Sequence, residues 1–142
     1  MDNTLAGGPQ MRKPDPLVQS AVQHWAPRFV ANGIALTDFQ EVSGSVGRWE
    51  EWCAAWCERA ALHEALGRKA LADGFRLSAG EHLTRAAACY HFAKFVFVVD
   101  YEQMRAAHMK AVECRTLALP LLRPAGARVE IPYEGAKLAG IL

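Results

Sequence analysis

Residues 128–142 read RVEIPYEGAKLAGIL, and their period decides how the chain is organised. Val129, Ile131 and Tyr133 alternate with Glu130, Pro132 and Glu134, which is the two-residue period of a strand. Pro132 has no N–H to give to a ladder, so this strand belongs at a sheet edge. Glu134-Gly135-Ala136 carries turn chemistry, and Lys137 to Leu142 restarts as a second strand. A two-stranded hairpin alone is marginal in water. The expectation is that this hairpin is the edge of a larger sheet encoded further along the chain.

Working backwards from the hairpin, the period becomes helical. Pro124, Gly126 and the residues around them read as a linker over 120–127. Before it, Asp100-Tyr101-Glu102-Gln103 fits a capping box, opening a helix through Met104, Ala107, His108, Ala111 and Cys114 that ends before Pro120. Ser78-Ala79-Gly80-Glu81 fits a second box, opening a helix to about Val98. Its latter half, ACYHFAKFVFVV, is apolar nearly all round and has to be buried on most sides. From about Val46 to Asp73 the spacing predicts one long helix, with Gly74 at its C-cap. Trp49, Trp52, Cys53, Trp56, Ala60, His63 and Ala70 form its apolar stripe, widened by Leu62, Leu66 and Leu71. Thr37-Asp38-Phe39-Gln40 predicts a short helix. Asp15-Pro16 opens the first one, which runs through Leu17, Val18, Val22, Trp25 and Phe29, is disturbed by Pro27 and stops at Asn32-Gly33. Residues 1–14, with Gly7, Gly8, Pro9 and Pro14, read as a disordered lead-in. The fold class is therefore mostly α. A helical unit of four to five helices over 15–119 and a linker over 120–127 lead to a hairpin over 128–142.

Composition narrows the function classes. The 142 residues are 51% hydrophobic and 22% charged with a net charge of +1, which suits one globular unit. No basic or acidic block argues for nucleic acid or an anionic membrane. No apolar run is long enough to span a bilayer, and no h-region of a signal peptide is visible. Cys53, Cys57, Cys89 and Cys114 are then expected as reduced thiols, and the cytoplasm is the expected compartment.

Few residues carry a chemical signature. SGSVG at 43–47 superficially matches a nucleophile elbow, but Ser43 stands where the first glycine belongs and no strand precedes it; a loop and cap is expected. Cys53 and Cys57, even combined with His63 or His91, lack the paired spacing of a structural zinc site, so core cysteines are expected, with no metal and no cofactor. His82 and His108 read as boundary residues. His91 and Lys94 differ, since both lie in the apolar helix, beside Tyr90 and Phe95. A lysine in such a place either snorkels out or marks a pocket. There is no Gly-rich phosphate loop, no carboxylate pair and no triad, so the chain by itself lacks catalytic machinery.

Three segments carry a resemblance. RWEEWCAAWCERAALHEALGRKALADG, LSAGEHLTRAAACYHFAKFVF and MRAAHMKAVECRTLALPLL leading into RVEIPYEGAKLAGIL resemble the N-terminal region of a bacterial α/β-hydrolase group, that of 2,6-dihydroxypseudooxynicotine hydrolase and the fermentation-respiration-switch and dipeptidyl-aminopeptidase-like esterases. The resemblance covers about residues 17–142. It implies a helical cap packed over a catalytic domain. It also implies that Val129, Ile131, Pro132, Tyr133, Glu134, Gly135, Leu138, Gly140 and Leu142 belong to the first hairpin of the hydrolase sheet. The oxyanion loop, serine elbow, acid and histidine of the group have no matching positions in this sequence. The implied role is to shape the pocket of a serine hydrolase acting on an ester, amide or C–C ketone bond, with Tyr90, His91, Lys94 and Phe95 lining it. The implied partners are the catalytic domain and a small acyl or aromatic substrate, and an apolar cap is also suited to a homodimer. The alternative reading is a stand-alone helical interaction or dimerisation module without catalysis, although no repeat period near 34 residues supports an array.

Overall fold

The computed structural model describes residues 15–142, so the expected lead-in over 1–14 lies outside the described residues. Five helices, α1 (Pro16–Ala31), α2 (Leu36–Ser45), α3 (Trp52–Ala72), α4 (Arg76–Lys94) and α5 (Tyr101–Ala118), precede an antiparallel hairpin of β1 (Arg128–Tyr133) and β2 (Ala136–Ile141). The expected class, helices followed by a hairpin, is what the chain forms.

Local chemistry explains most boundaries. Asp15 caps α1, its Oδ1 accepting from the Leu17 N–H at 2.7 Å, with Pro16 at the first helical position. Pro27 sits inside α1 without ending it. At the far end Gly33 (φ +89) donates to Val30 O and Ile34 donates to Phe29 O, the paired bonds of a Schellman cap. Gly74 (φ +85) closes α3 in the same way, donating to Leu71 O while Phe75 donates to Ala70 O. Asp100 caps α5, accepting from the Gln103 N–H at 3.0 Å.

Four expectations need correction. The long helix does not begin at Val46. A 3-10 turn (Trp49–Glu51) precedes α3, anchored by Glu51, which accepts from the N–H groups of Gly47 and Arg48. Ser78 is not a cap, because the Schellman turn at Gly74 leaves the chain ready to re-enter a helix at Arg76. Thr37 is not a cap either; α2 starts at Leu36, and SGSVG opens as the end of α2, where the buried Ser43 hydroxyl donates to Phe39 O. Finally, α4 stops at Lys94 rather than Val98, since Val96 takes φ +51, which a β-branched residue adopts only under constraint.

The core is aromatic. Phe29 stacks on Phe92 at 3.8 Å, Trp49 on Trp52 at 5.1 Å, and the Trp52 indole donates to Phe92 O at 3.2 Å. Trp52 and Trp56 are wholly buried. The α3–α4 pair packs closely because its facing residues are small. A Cβ on Gly67 would lie 2.8 Å from Leu83 Cγ. Leu62, Leu66 and Leu71, expected to widen the α3 stripe, are exposed, as are Leu17 and Val22 of α1. Among the described residues no helix is long and apolar enough to cross a membrane, and all four cysteines are free.

The hairpin turns on Glu134 (φ +45) and Gly135 (φ +79). Its register pairs Val129 with Gly140, Ile131 with Leu138 and Tyr133 with Ala136, so these six share one face. The other face carries Arg128, Glu130 and Lys137, and Lys137 Nζ bridges Glu130 at 2.7 Å. Gly126 ties the hairpin to the helices, its N–H reaching Leu119 O at 2.9 Å.

Candidate functional site

A cavity of about 520 Å³ lies between α4, α5 and the hairpin. Helical spacing builds its walls. On α4, Thr84, Ala87, Ala88, His91 and Lys94 recur at steps of three and four. On α5, His108, Ala111, Val112 and Arg115 do the same. Arg128 and Ile141, a cross-strand pair, bring the hairpin to the rim, and Asn32 reaches it from the end of α1.

The four residues expected to line one pocket separate. His91 and Lys94 line the cavity. Tyr90 does not, because it sits on the opposite face of α4 and donates to Glu64 Oε2 at 2.9 Å. Phe95 does not either. Past the last turn of α4 it packs edge-on against Trp25 at 5.6 Å, with the Arg28 guanidinium 5.6 Å from its ring. His108, which reads from the sequence as a boundary residue, also lines the cavity, as do Arg115 and Arg128, which have no such sequence signature. Only His108 and Arg115 carry a helical signal, since both share the α5 spacing of Ala111; Arg128 reaches the cavity through a tertiary contact.

The cavity is electropositive. His91 keeps an exposed edge, yet burial of its ring and the nearby charges of Lys94 and His108 push its pKa down. No Asp or Glu lines the cavity. The Thr84 hydroxyl is buried there without a hydrogen-bond partner.

Two other polar clusters lie among the helices. Glu64, buried on α3, accepts from Tyr90, Arg68 and Lys110. Burial alone would raise its carboxyl, but the three donors outweigh that and hold it below the usual range. The Tyr90 hydroxyl, desolvated and bonded to that carboxylate, is pushed up. This cluster braces α3 to α4 and α5.

The second cluster joins α2, α3 and α4. Asp38 accepts from Arg59 and meets His63 Nε2, both at 2.8 Å. Asp38, His63 and Cys89 each bring a potential ligand atom within 4.8 Å of the others. The thiol that meets His63 is thus Cys89, not Cys53 or Cys57. Cys53 and Cys57 instead hydrogen-bond each other, which raises the Cys53 thiol and lowers that of Cys57. Burial pushes the Cys89 thiol up to about 12, so at neutral pH it is protonated and unreactive. With Asp38 already holding a guanidinium, this cluster acts as a brace.

No protein-family model matches the chain. It is 32% identical over 110 residues to the 2,6-dihydropseudooxynicotine hydrolase of Paenarthrobacter nicotinovorans, a match covering 76% of this chain and 29% of the relative. The crystal structure of 2,6-dihydroxy-pseudo-oxynicotine hydrolase superposes with a TM-score of 0.69 at 28% identity, covering 82% of this chain and 32% of that one. The chain therefore spans about a third of the length of the relatives it matches, and over that third it is similar, in sequence and in fold, to an α/β-hydrolase.

Proposed function

We propose that the chain is the cap and first sheet hairpin of a serine α/β-hydrolase, shaping a substrate pocket over a catalytic domain. One observation carries the reading. The hairpin turns Arg128 and Ile141 toward the helices and directs Val129, Ile131, Tyr133 and Leu138 to the opposite face. Ile131, Tyr133 and Leu138 remain more than half exposed, at 53%, 56% and 51%. An apolar sheet face without cover is a surface made for further structure. In this reading the cover is the remainder of an α/β-hydrolase sheet and its helices.

The chemistry would be nucleophilic acyl transfer at an ester, amide or C–C ketone bond. A serine of the catalytic domain would attack the carbonyl, a histidine would move the proton, and backbone N–H groups would hold the oxyanion. Residues 15–119 would contribute water exclusion and one wall of the pocket, with His91 and Lys94 as its polar groups. The matched relative's substrate, 2,6-dihydroxypseudooxynicotine, makes aromatic compounds the first class to examine.

The test uses the complete polypeptide in which this sequence occurs. A fluorophosphonate probe should label a single serine outside residues 1–142, within a G-x-S-x-G sequence. In that protein His91→Ala should lower kcat/KM for an aryl ester by about tenfold, roughly 1.4 kcal/mol of transition-state binding. Absence of labelling overturns the hydrolase reading, and an unchanged kcat/KM with intact folding overturns the pocket role.

A further inference from the structure

The cavity between α4, α5 and the hairpin collects positive charge without compensation. Lys94, Arg115 and Arg128 line it together with the imidazoles of His91 and His108, and no Asp or Glu does. The salt bridges of the chain use other cations; Lys94, Arg115 and Arg128 have no acidic partner among the described residues. Like charges gathered around one concavity repel one another and create a positive potential there. The pKa of His91 is lowered chiefly by burial of its ring, with smaller contributions from Lys94 and His108.

Three further features narrow the ligand. The buried Thr84 hydroxyl has no partner, and such a group is normally satisfied by protein, water or ligand. A hydroxyl can donate to an anionic oxygen as the guanidinium groups can. Apart from Asn32, the rest of the lining is apolar, from Ala87, Ala88, Phe92, Ala111, Val112 and Ile141. A volume of about 520 Å³ falls within the range of small-molecule sites.

We propose that this cavity binds a small organic carboxylate, its anionic end held by Arg115 and Arg128 beside Thr84 and its apolar, ring-sized body lying against Ala88, Val112 and Ile141. The inference rests on the pocket role proposed above, since it names the substrate class of that same site. Inorganic phosphate would use the cations without the apolar wall, and so serves as a control.

The test titrates the 142-residue chain with phenylacetate, phenylacetamide and inorganic phosphate, reading affinity by calorimetry and the His91 and His108 ring signals by NMR. Phenylacetate is expected to saturate with a Kd on the order of 1 mM, which is reachable for a ligand of that size. The amide should bind at least about tenfold more weakly, because it lacks the charge that the guanidinium groups pair with. Arg115→Gln and Arg128→Gln should each weaken phenylacetate by about fivefold, and the His91 pKa should rise on binding. As a check independent of any variant's folding, phenylacetate affinity of the unaltered chain should fall as sodium chloride is added. Equal binding of amide and carboxylate, phosphate binding as tight as phenylacetate, absence of saturation, or salt-independent affinity would each overturn the site. Serine labelling in the complete polypeptide is a separate measurement. Labelling without phenylacetate binding removes this site and leaves the hydrolase reading standing; phenylacetate binding without labelling does the reverse.

Discussion

At the scale of single residues, polar groups inside the helices divide into satisfied and unsatisfied sets. Glu64 and Tyr90 belong to the first set, each accounted for by the other and by Arg68 and Lys110. The Thr84 hydroxyl belongs to the second, and His91 lies in the same cavity without an acidic neighbour. The His91 ring is partly buried against α4 and lies near Lys94 on its own helix and His108 on α5, while Arg115 and Arg128 line the same cavity. The folded state therefore disfavours imidazolium, while the unfolded chain takes up a proton near pH 6.5. Above about that pH the two states bind equally few protons. As pH falls below it, the unfolded state binds more, and stability is lost until the lower folded pKa is passed. His91→Gln should therefore flatten the fall of Tm between pH 7 and pH 5.5. The slope that remains belongs in part to His82, whose pKa is also lowered by burial and by the charges of Arg85 and His63. Thermal melts at matched ionic strength check this. A steeper or unchanged slope in the variant would show that His91 is free of that field.

The elements are held by local signals at their ends and by small residues where they meet. Two Schellman caps, at Gly33 and Gly74, set the turns between α1 and α2 and between α3 and α4. Close approach of α3 and α4 depends on Gly67, where a Cβ would stand 2.8 Å from Leu83 Cγ and 3.1 Å from the Leu83 backbone nitrogen. Alanine would gain roughly 1 kcal/mol of helix propensity over glycine there. Overpacking against a backbone atom costs typically 1–3 kcal/mol. The contact with a backbone atom, which cannot swing away, decides the sign. Gly67→Ala should lower Tm by a few degrees, about 1 kcal/mol net. A raised Tm would mean that the helix pair can slide apart without loss.

At the scale of the whole molecule, the hairpin is attached but not covered. Gly126 and the paired N–H and C=O groups of Ala127 and Leu142 secure its base, at 2.9, 2.8 and 3.0 Å. Its apolar face then stands in water, which large exposed patches on proteins rarely do without a purpose. Replacing Ile131 and Leu138 together by threonine keeps strand propensity and removes most of that face. The variant chain should bind an apolar-surface dye at about half the parent's signal, with stability changed by no more than about 0.5 kcal/mol, as is usual for exposed positions. Undiminished dye binding would move the exposed patch elsewhere, to Val96, Val98 and Val99 beyond the end of α4.

What the sequence by itself determined is what short-range physics controls. The Asp15 and Asp100 caps, the Gly33 and Gly74 stops, the strand period of 128–133 and the Glu134-Gly135 turn depend on neighbours within a few residues, and all appear where their residues predicted. The spacing of apolar residues also foretold a buried aromatic face on α3. Only the tertiary structure decided which signals would be overruled and which polar groups would meet. Ser78 and Thr37 have good capping chemistry, but the preceding Schellman turns start their helices earlier. Asp38 finds Arg59 and His63, more than twenty residues away in sequence, because helix packing brings them together. The cavity is of the same kind. His91 and Lys94 were visible as polar residues in an apolar helix, yet Tyr90 and Phe95 face elsewhere, and Arg115 and Arg128 arrive from α5 and the hairpin. No local pattern encodes that meeting, because it depends on how far α5 and the hairpin lie from α4, and that distance is set by the core beneath them.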